Sequence, residues 1–134
     1  RAAVMHDHVD LIIAPSVGPE VIAGSTRLKA GTATKIVLNI VSTAAFTLNG
    51  RVFEGRMVAM RPSNHKLRQR ATRIVSELGG VPQDESKALL EAASWDIRQA
   101  VLMARCRLDA ATAAALLSKH AGVLRAAIEE SASA

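Results

Sequence analysis

The chain has 134 residues, of which 49% are apolar, 22% charged and 2% aromatic, and its net charge is +5. That apolar share excludes a disordered charged tail, and a single cysteine, Cys106, excludes a disulfide framework or a multi-cysteine zinc site. No uninterrupted apolar run reaches about 18 residues, and no charged-then-apolar leader opens the chain. A cytoplasmic protein with no membrane contact is therefore expected. The chain opens on Arg1 in mid-pattern, so a missing front part is expected as well.

Val9-Asp10-Leu11-Ile12-Ile13-Ala14 is a short, nearly continuous apolar run stopped by Pro15. It reads as a strand buried on both faces of a parallel sheet. No second strand of that kind follows, so its partners are expected outside this sequence or in another chain. Ser16-Val17-Gly18-Pro19-Glu20 has loop composition. Gly24-Ser25-Thr26 is a helix start, because the two hydroxyls can cap free amides. Ile36, Val37, Ile40, Val41, Ala44 and Leu48 then recur at helical spacing, which predicts one helix over Leu28 to Leu48, closed by Asn49-Gly50. Val52-Phe53 and Met57-Val58-Ala59-Met60 are short extended pieces at most. Pro62-Ser63-Asn64 opens a second long helix with the stripe Leu67, Ala71, Ile74, Val75 and Leu78, stopped at Gly79-Gly80.

Beyond that point the sequence is rich in Ala and Leu. Asp84, Ser94 and Asp109 are expected to cap three short helices, and Gly122 precedes a last piece carrying Leu124 and Ile128. Tight turns between short helices predict a small bundle.

Charge is uneven along the chain. Arg27, Lys29, Lys35, Arg51, Arg56, Arg61, Lys66, Arg68, Arg70 and Arg73 face only Glu54 between positions 27 and 73. The middle of the chain therefore attracts anions. Nucleic acid is a poor candidate, since Phe46, Phe53 and Trp95 are the only aromatics and stacking platforms are missing. A small phosphorylated ligand needs only one or two of these charges.

The segment most informative for chemistry runs from Gly18 to Thr32. A buried strand ends, a loop follows, and a helix begins with Ser25, Thr26, Arg27 and Lys29 in its first turns. Ligands of α/β proteins bind at such corners, where helix amides and the helix dipole favour an anion. The pattern G-x-x-x-x-G-K is absent, so this is not a P-loop. The plainer alternative is an ordinary helix cap with solvated bases.

Gly18-Pro19-Glu20 through Lys35, with Val37-Leu38-Asn39 and Ser42-Thr43, resembles the N-acetylmuramic acid 6-phosphate etherases, relatives of the glucokinase regulatory proteins. Gly50-Arg51-Val52-Phe53, Met57-Val58 and Ser63-Asn64-x-Lys66-Leu67 extend the resemblance. Leu108-Asp109-Ala110-Ala111 and His120-x-Gly122 carry it into the tail. The resemblance implies an α/β fold class: the C-terminal part of a doubly wound sugar isomerase (SIS) parallel-sheet sandwich over residues 1–75, followed by a small helical bundle like a ubiquitin-associated (UBA) domain over residues 76–134. It implies a lyase that cleaves the D-lactyl ether of a phosphorylated amino sugar by acid–base steps, without cofactor or metal. A non-catalytic phosphosugar-binding regulator is the alternative, and a homodimer is expected under both.

The same resemblance puts the main acid–base carboxylates in the missing front part. Glu20 is then a sugar-hydroxyl ligand or auxiliary base, or else it caps its own loop or pairs with Arg27. Ser25, Thr26, Arg27 and Lys29 are expected sugar or phosphate contacts, as are Asn64 and Lys66 at the second helix start. Where the family shows Gly-Asn-Leu-Met-Val-Asp, this chain has Glu54-Gly55-Arg56-Met57-Val58-Ala59, which leaves its particular substrate open.

Other residues carry weaker signals. His6 and His8 flank Asp7 but cannot share one strand face, so they make no convincing metal site. His65 and His120 read as surface residues, Cys106 as an inert thiol, Trp95 as a packing anchor, and Met57 and Met60 as gap fillers.

Overall fold

A computed structural model of the chain describes residues 8–133; His6 and Asp7 lie outside the described residues. The elements in chain order are α1 (Lys29–Leu48), β1 (Val52–Phe53), β2 (Arg56–Met57), α2 (His65–Gly79), α3 (Gln83–Ala92), α4 (Ile97–Cys106), α5 (Ala110–Lys119) and α6 (Leu124–Ala132). The chain is thus mostly helical, with one two-stranded antiparallel sheet that pairs Val52 with Met57 and Phe53 with Arg56. It divides into two compact units, Arg1–Ala44 and Ala45–Ala134.

In the first unit the expected buried strand is not formed. Residues 9–14 have no regular structure, and Val9, Leu11, Ile12 and Ile13 are exposed, Leu11 at 77%. The physical reason is the one that made the prediction conditional. A strand needs a neighbour for its amides and carbonyls, and among the described residues none pairs with it.

Helix α1 does form over the predicted span, yet none of its residues is buried. Ile36, Leu38, Ile40, Val41, Phe46 and Leu48 all stand exposed. With 20 residues and a mean hydropathy of 1.2 over its most apolar window, α1 is long and apolar enough to cross a membrane by length and composition. Counting uninterrupted apolar residues overlooks this, because Thr32, Lys35, Asn39 and Ser42 break the run.

The second unit holds the core. Helix α4 lies at its centre and packs against α2, α3, α5 and α6, which is why Ile97, Ala100, Val101, Leu102 and Met103 are all buried along it. Ala71, Ile74, Val75 and Leu78 form the buried face of α2, with Leu90, Leu117, Leu124 and Ala127 closing the core from the other helices.

Helix starts follow local chemistry in most places. Asn64 accepts from the Leu67 amide at 2.9 Å and caps α2. Asp109 accepts from the Thr112 amide and hydroxyl, both at 2.9 Å, and caps α5. These bonds hold the Asp109 carboxyl below its ordinary value.

Two predicted caps are displaced. Helix α3 starts from Pro82, with Asp84 already inside the first turn, where a carboxylate favours the helix dipole. Helix α4 is capped by Asp96, not Ser94. Ser94 and Trp95 instead adopt left-handed backbone, with φ of 50° and 65°, as the Trp95 amide turns back onto the Leu90 carbonyl at 2.7 Å. Burial opposes the charge on Asp96, but the Arg98 guanidinium and the amides of Gln99 and Arg98 prevail and hold its pKa low.

The hairpin is fastened to the helices by Arg105. Its guanidinium donates to the Leu78 carbonyl and to Glu54 Oε2 at 2.9 Å and lies 5.3 Å over the Phe53 ring. Arg56 pairs with Glu77 at 2.8 Å. Glu54 and Arg56, two of the departures from the family pattern, are therefore joined to partners on the helical body. Gly50, at φ 69°, backs onto Val123, which a Cβ would meet at 3.0 Å.

Gly79 faces Ala104 so closely that a Cβ would lie 2.7 Å from the alanine methyl. In Gly79→Ala this clash outweighs the helix-propensity gain of about 1 kcal/mol. A net loss of about 1–2 kcal/mol is expected, read as a lower urea midpoint with an unchanged denaturant slope.

Candidate functional site

The loop after Pro15 runs into α1 through a short turn. The Ser25 amide bonds the Ile22 carbonyl at 3.0 Å, and the Leu28 amide bonds the Ser25 carbonyl at 3.2 Å. Ser25 and Thr26 therefore lie in the turn ahead of the helix, and neither side chain caps it. That task falls to Glu20. Its two carboxylate oxygens accept from the amides of Lys29 and Ala30, each at 3.0 Å. A residue nine positions upstream thus satisfies two amides that the helix leaves open.

The amide of Ala30, then that of Lys29, holds the Glu20 carboxyl below its ordinary value, with a smaller contribution from the Lys29 charge. A carboxylate held in this way is a weaker base than a free one, and an incoming anion meets it at the helix end. Of the two alternatives to a ligand role, capping is the one realised; no ion pair joins Glu20 to Arg27 among the described residues.

Arg27 and Lys29 stand exposed beside this corner. They line one end of a shallow open groove of about 540 Å³ that continues along α1 past Thr32 and Ala33 to Ile36. The groove is cationic where the helix begins and apolar further along. Such a surface suits a ligand with one anionic group and a less polar body.

In the second unit, Asn64 spends its side-chain oxygen on the α2 cap. Lys66 follows in the first turn, exposed and without a carboxylate partner among the described residues. The predicted residues thus form two sets: Glu20, Ser25, Thr26, Arg27 and Lys29 in the first unit, and Asn64 and Lys66 in the second.

Trp95 is half-buried, packs on the core and carries the Arg68 guanidinium 4.7 Å over its ring. Cys106 is half-buried and free. His120 lies 2.8 Å from Glu130. Among the described residues no group of three or more His, Cys, Asp or Glu converges to hold a metal ion.

Sequence reasoning counts Arg56, Arg70 and Arg73 only as charge, yet they line one cleft with Ile74 and Glu77. The available signal is the spacing of Lys66, Arg70, Arg73 and Glu77, which places all four on one side of α2.

The described residues thus form a mostly helical segment with a cationic corner where α1 begins and a helical bundle at its end. No protein-family model matches the chain. It is 48% identical over 120 residues to proteins named N-acetylmuramic acid 6-phosphate etherase from Salmonella paratyphi B and Salmonella typhimurium. It is 47% identical to the one from Salmonella schwarzengrund. Each match covers 90% of this chain and 40% of the relative, and it falls on the relatives' C-terminal part. The chain is a homologue of the C-terminal part of N-acetylmuramic acid 6-phosphate etherases.

Because Glu20 has a lowered pKa, its contribution to stability is complete above the ordinary glutamate value and is lost as pH falls through the folded one. Amide exchange tests this: protection of Lys29 and Ala30 is expected to fall in Glu20→Gln at neutral pH, and in the unaltered chain as the carboxyl protonates, while protection in α4 stays unchanged.

Proposed function

We propose that this chain is the C-terminal part of a carbon–oxygen lyase that cleaves the D-lactyl ether of N-acetylmuramic acid 6-phosphate, releasing D-lactate and N-acetylglucosamine 6-phosphate. The observation that carries the reading is the 48% identity over 90% of the chain to proteins of that name. On this reading the intact protein acts in the cytoplasm as a homodimer, needs no cofactor, and binds a phosphorylated amino sugar rather than nucleic acid or membrane.

Residues 1–75 would complete a SIS-type sandwich with the part that precedes them, and residues 76–134 would form the UBA-like bundle. The apolar sides of α1 and of residues 9–14 support this division, because a helix that is apolar around most of its circumference calls for burial on several sides. The same burial explains the membrane-like hydropathy of α1 in a cytoplasmic enzyme.

The chain's contribution to catalysis is binding and orientation. Ser25 and Thr26 offer hydroxyls, and Arg27, Lys29, Asn64 and Lys66 contact the sugar or its phosphate. Glu20 keeps the corner in shape; service as a sugar ligand or auxiliary base requires release of the amides it now holds. Proton removal at carbon 2 and departure of lactate fall to carboxylates supplied by the rest of the protein. Fixing the phosphate at a distance from the reacting carbon orients it for those groups.

The test is lactate release by the full-length protein, in which Lys66→Ala is expected to raise KM for the muramic acid phosphate by about 10- to 100-fold, with a smaller effect on kcat. Tight binding of the phosphosugar without lactate release would favour the regulatory reading. Unchanged KM would remove Lys66 from the site.

A further inference from the structure

We propose that the cleft between the hairpin and α2, lined by Arg56, Arg70 and Arg73, is a second anion site that binds the phosphate group of a small phosphorylated metabolite. It goes beyond the etherase reading and does not depend on it. The cleft has a volume of about 280 Å³, with Ile74 and Glu77 completing its wall. Three guanidiniums therefore face one carboxylate. Arg56 is already fixed there, since its Nε and Nη2 both donate to Glu77 Oε2, at 2.9 and 2.8 Å. That pair sets the orientation of one guanidinium before any ligand arrives.

Arg70 and Arg73 have no carboxylate partner among the described residues. Glu54, the only acid between positions 27 and 73, is held by Arg105 outside the cleft. Lys66, Arg70 and Arg73 follow one another on the same side of α2, and like charges so spaced on a helix repel. An anion seated between the guanidiniums removes that repulsion.

The chemistry selects the ligand. Guanidinium forks match phosphate oxygens two at a time, and a cleft of this size holds one phosphate group with a small attached body. No aromatic residue lines it, so it has no platform for stacking nucleic-acid bases.

Inorganic phosphate is the probe, titrated calorimetrically into the full-length protein at low salt, with Lys66→Ala as background so that the phosphosugar contacts are weakened. Saturable binding is expected, with affinity reduced about tenfold or more in Arg70→Gln and in Arg73→Gln. A smaller loss is expected in Arg73→Lys, which keeps the charge and drops the fork. Thermal unfolding of each variant checks that the fold is intact; should a glutamine variant fail that check, Arg73→Lys alone decides.

Equal affinity in all variants would overturn the site. So would the lack of any saturable phosphate binding, or binding that strengthens steadily with the length of an added polyphosphate, which marks a diffuse basic surface.

Discussion

Arg105 is the residue that ties the hairpin to the helical body of the second unit. A guanidinium that bonds the last turn of α2, pairs with Glu54 and covers Phe53 ties three stretches far apart in sequence. Arg125 covers the same ring at 5.5 Å, so Phe53 is buried beneath two cations although its strand is only two residues long. A two-stranded hairpin is marginal by itself. Here its order comes from the helices beneath it.

The two units differ in what they can bury. From Phe53 onward a continuous apolar core surrounds α4. Among the described residues before Phe53, none is buried. The apolar side chains of α1 and of residues 9–22 are as numerous as those of the core, but none of them is buried among the described residues. That asymmetry matches a chain that spans 40% of the length of the relatives it resembles.

At the start of α1 one carboxylate serves the architecture of the corner. Glu20 reaches across the loop to the helix amides and leaves Arg27 and Lys29 free to meet an anion from the side. In our proposal the same division of labour recurs at the hairpin, where Glu77 orients Arg56 while Arg70 and Arg73 remain open. In both places the acid is held locally, by helix amides at α1 and by Arg56 beside α2, while neighbouring cations stay without a carboxylate partner among the described residues.

Several elements were legible from sequence because the information is local. The apolar period marks α1 and α2, Asn64 and Asp109 carry their own capping oxygens, and Gly50 and Gly80 supply the left-handed turns. The starts of α3 and α4 were not legible, since Asp84 and Ser94 have capping side chains but the fold of the Ala93–Asp96 turn chose Asp96 instead. The run at residues 9–14 has the composition of a buried strand, but composition cannot supply a neighbour. The candidate residues came from the pattern around Gly18–Thr32 and Asn64–Lys66, and their binding role belongs to the proposal. Which amides Glu20 would occupy, and which arginines would share a cleft, depended on contacts between residues distant in sequence, and such contacts are decided only when the chain has closed on itself.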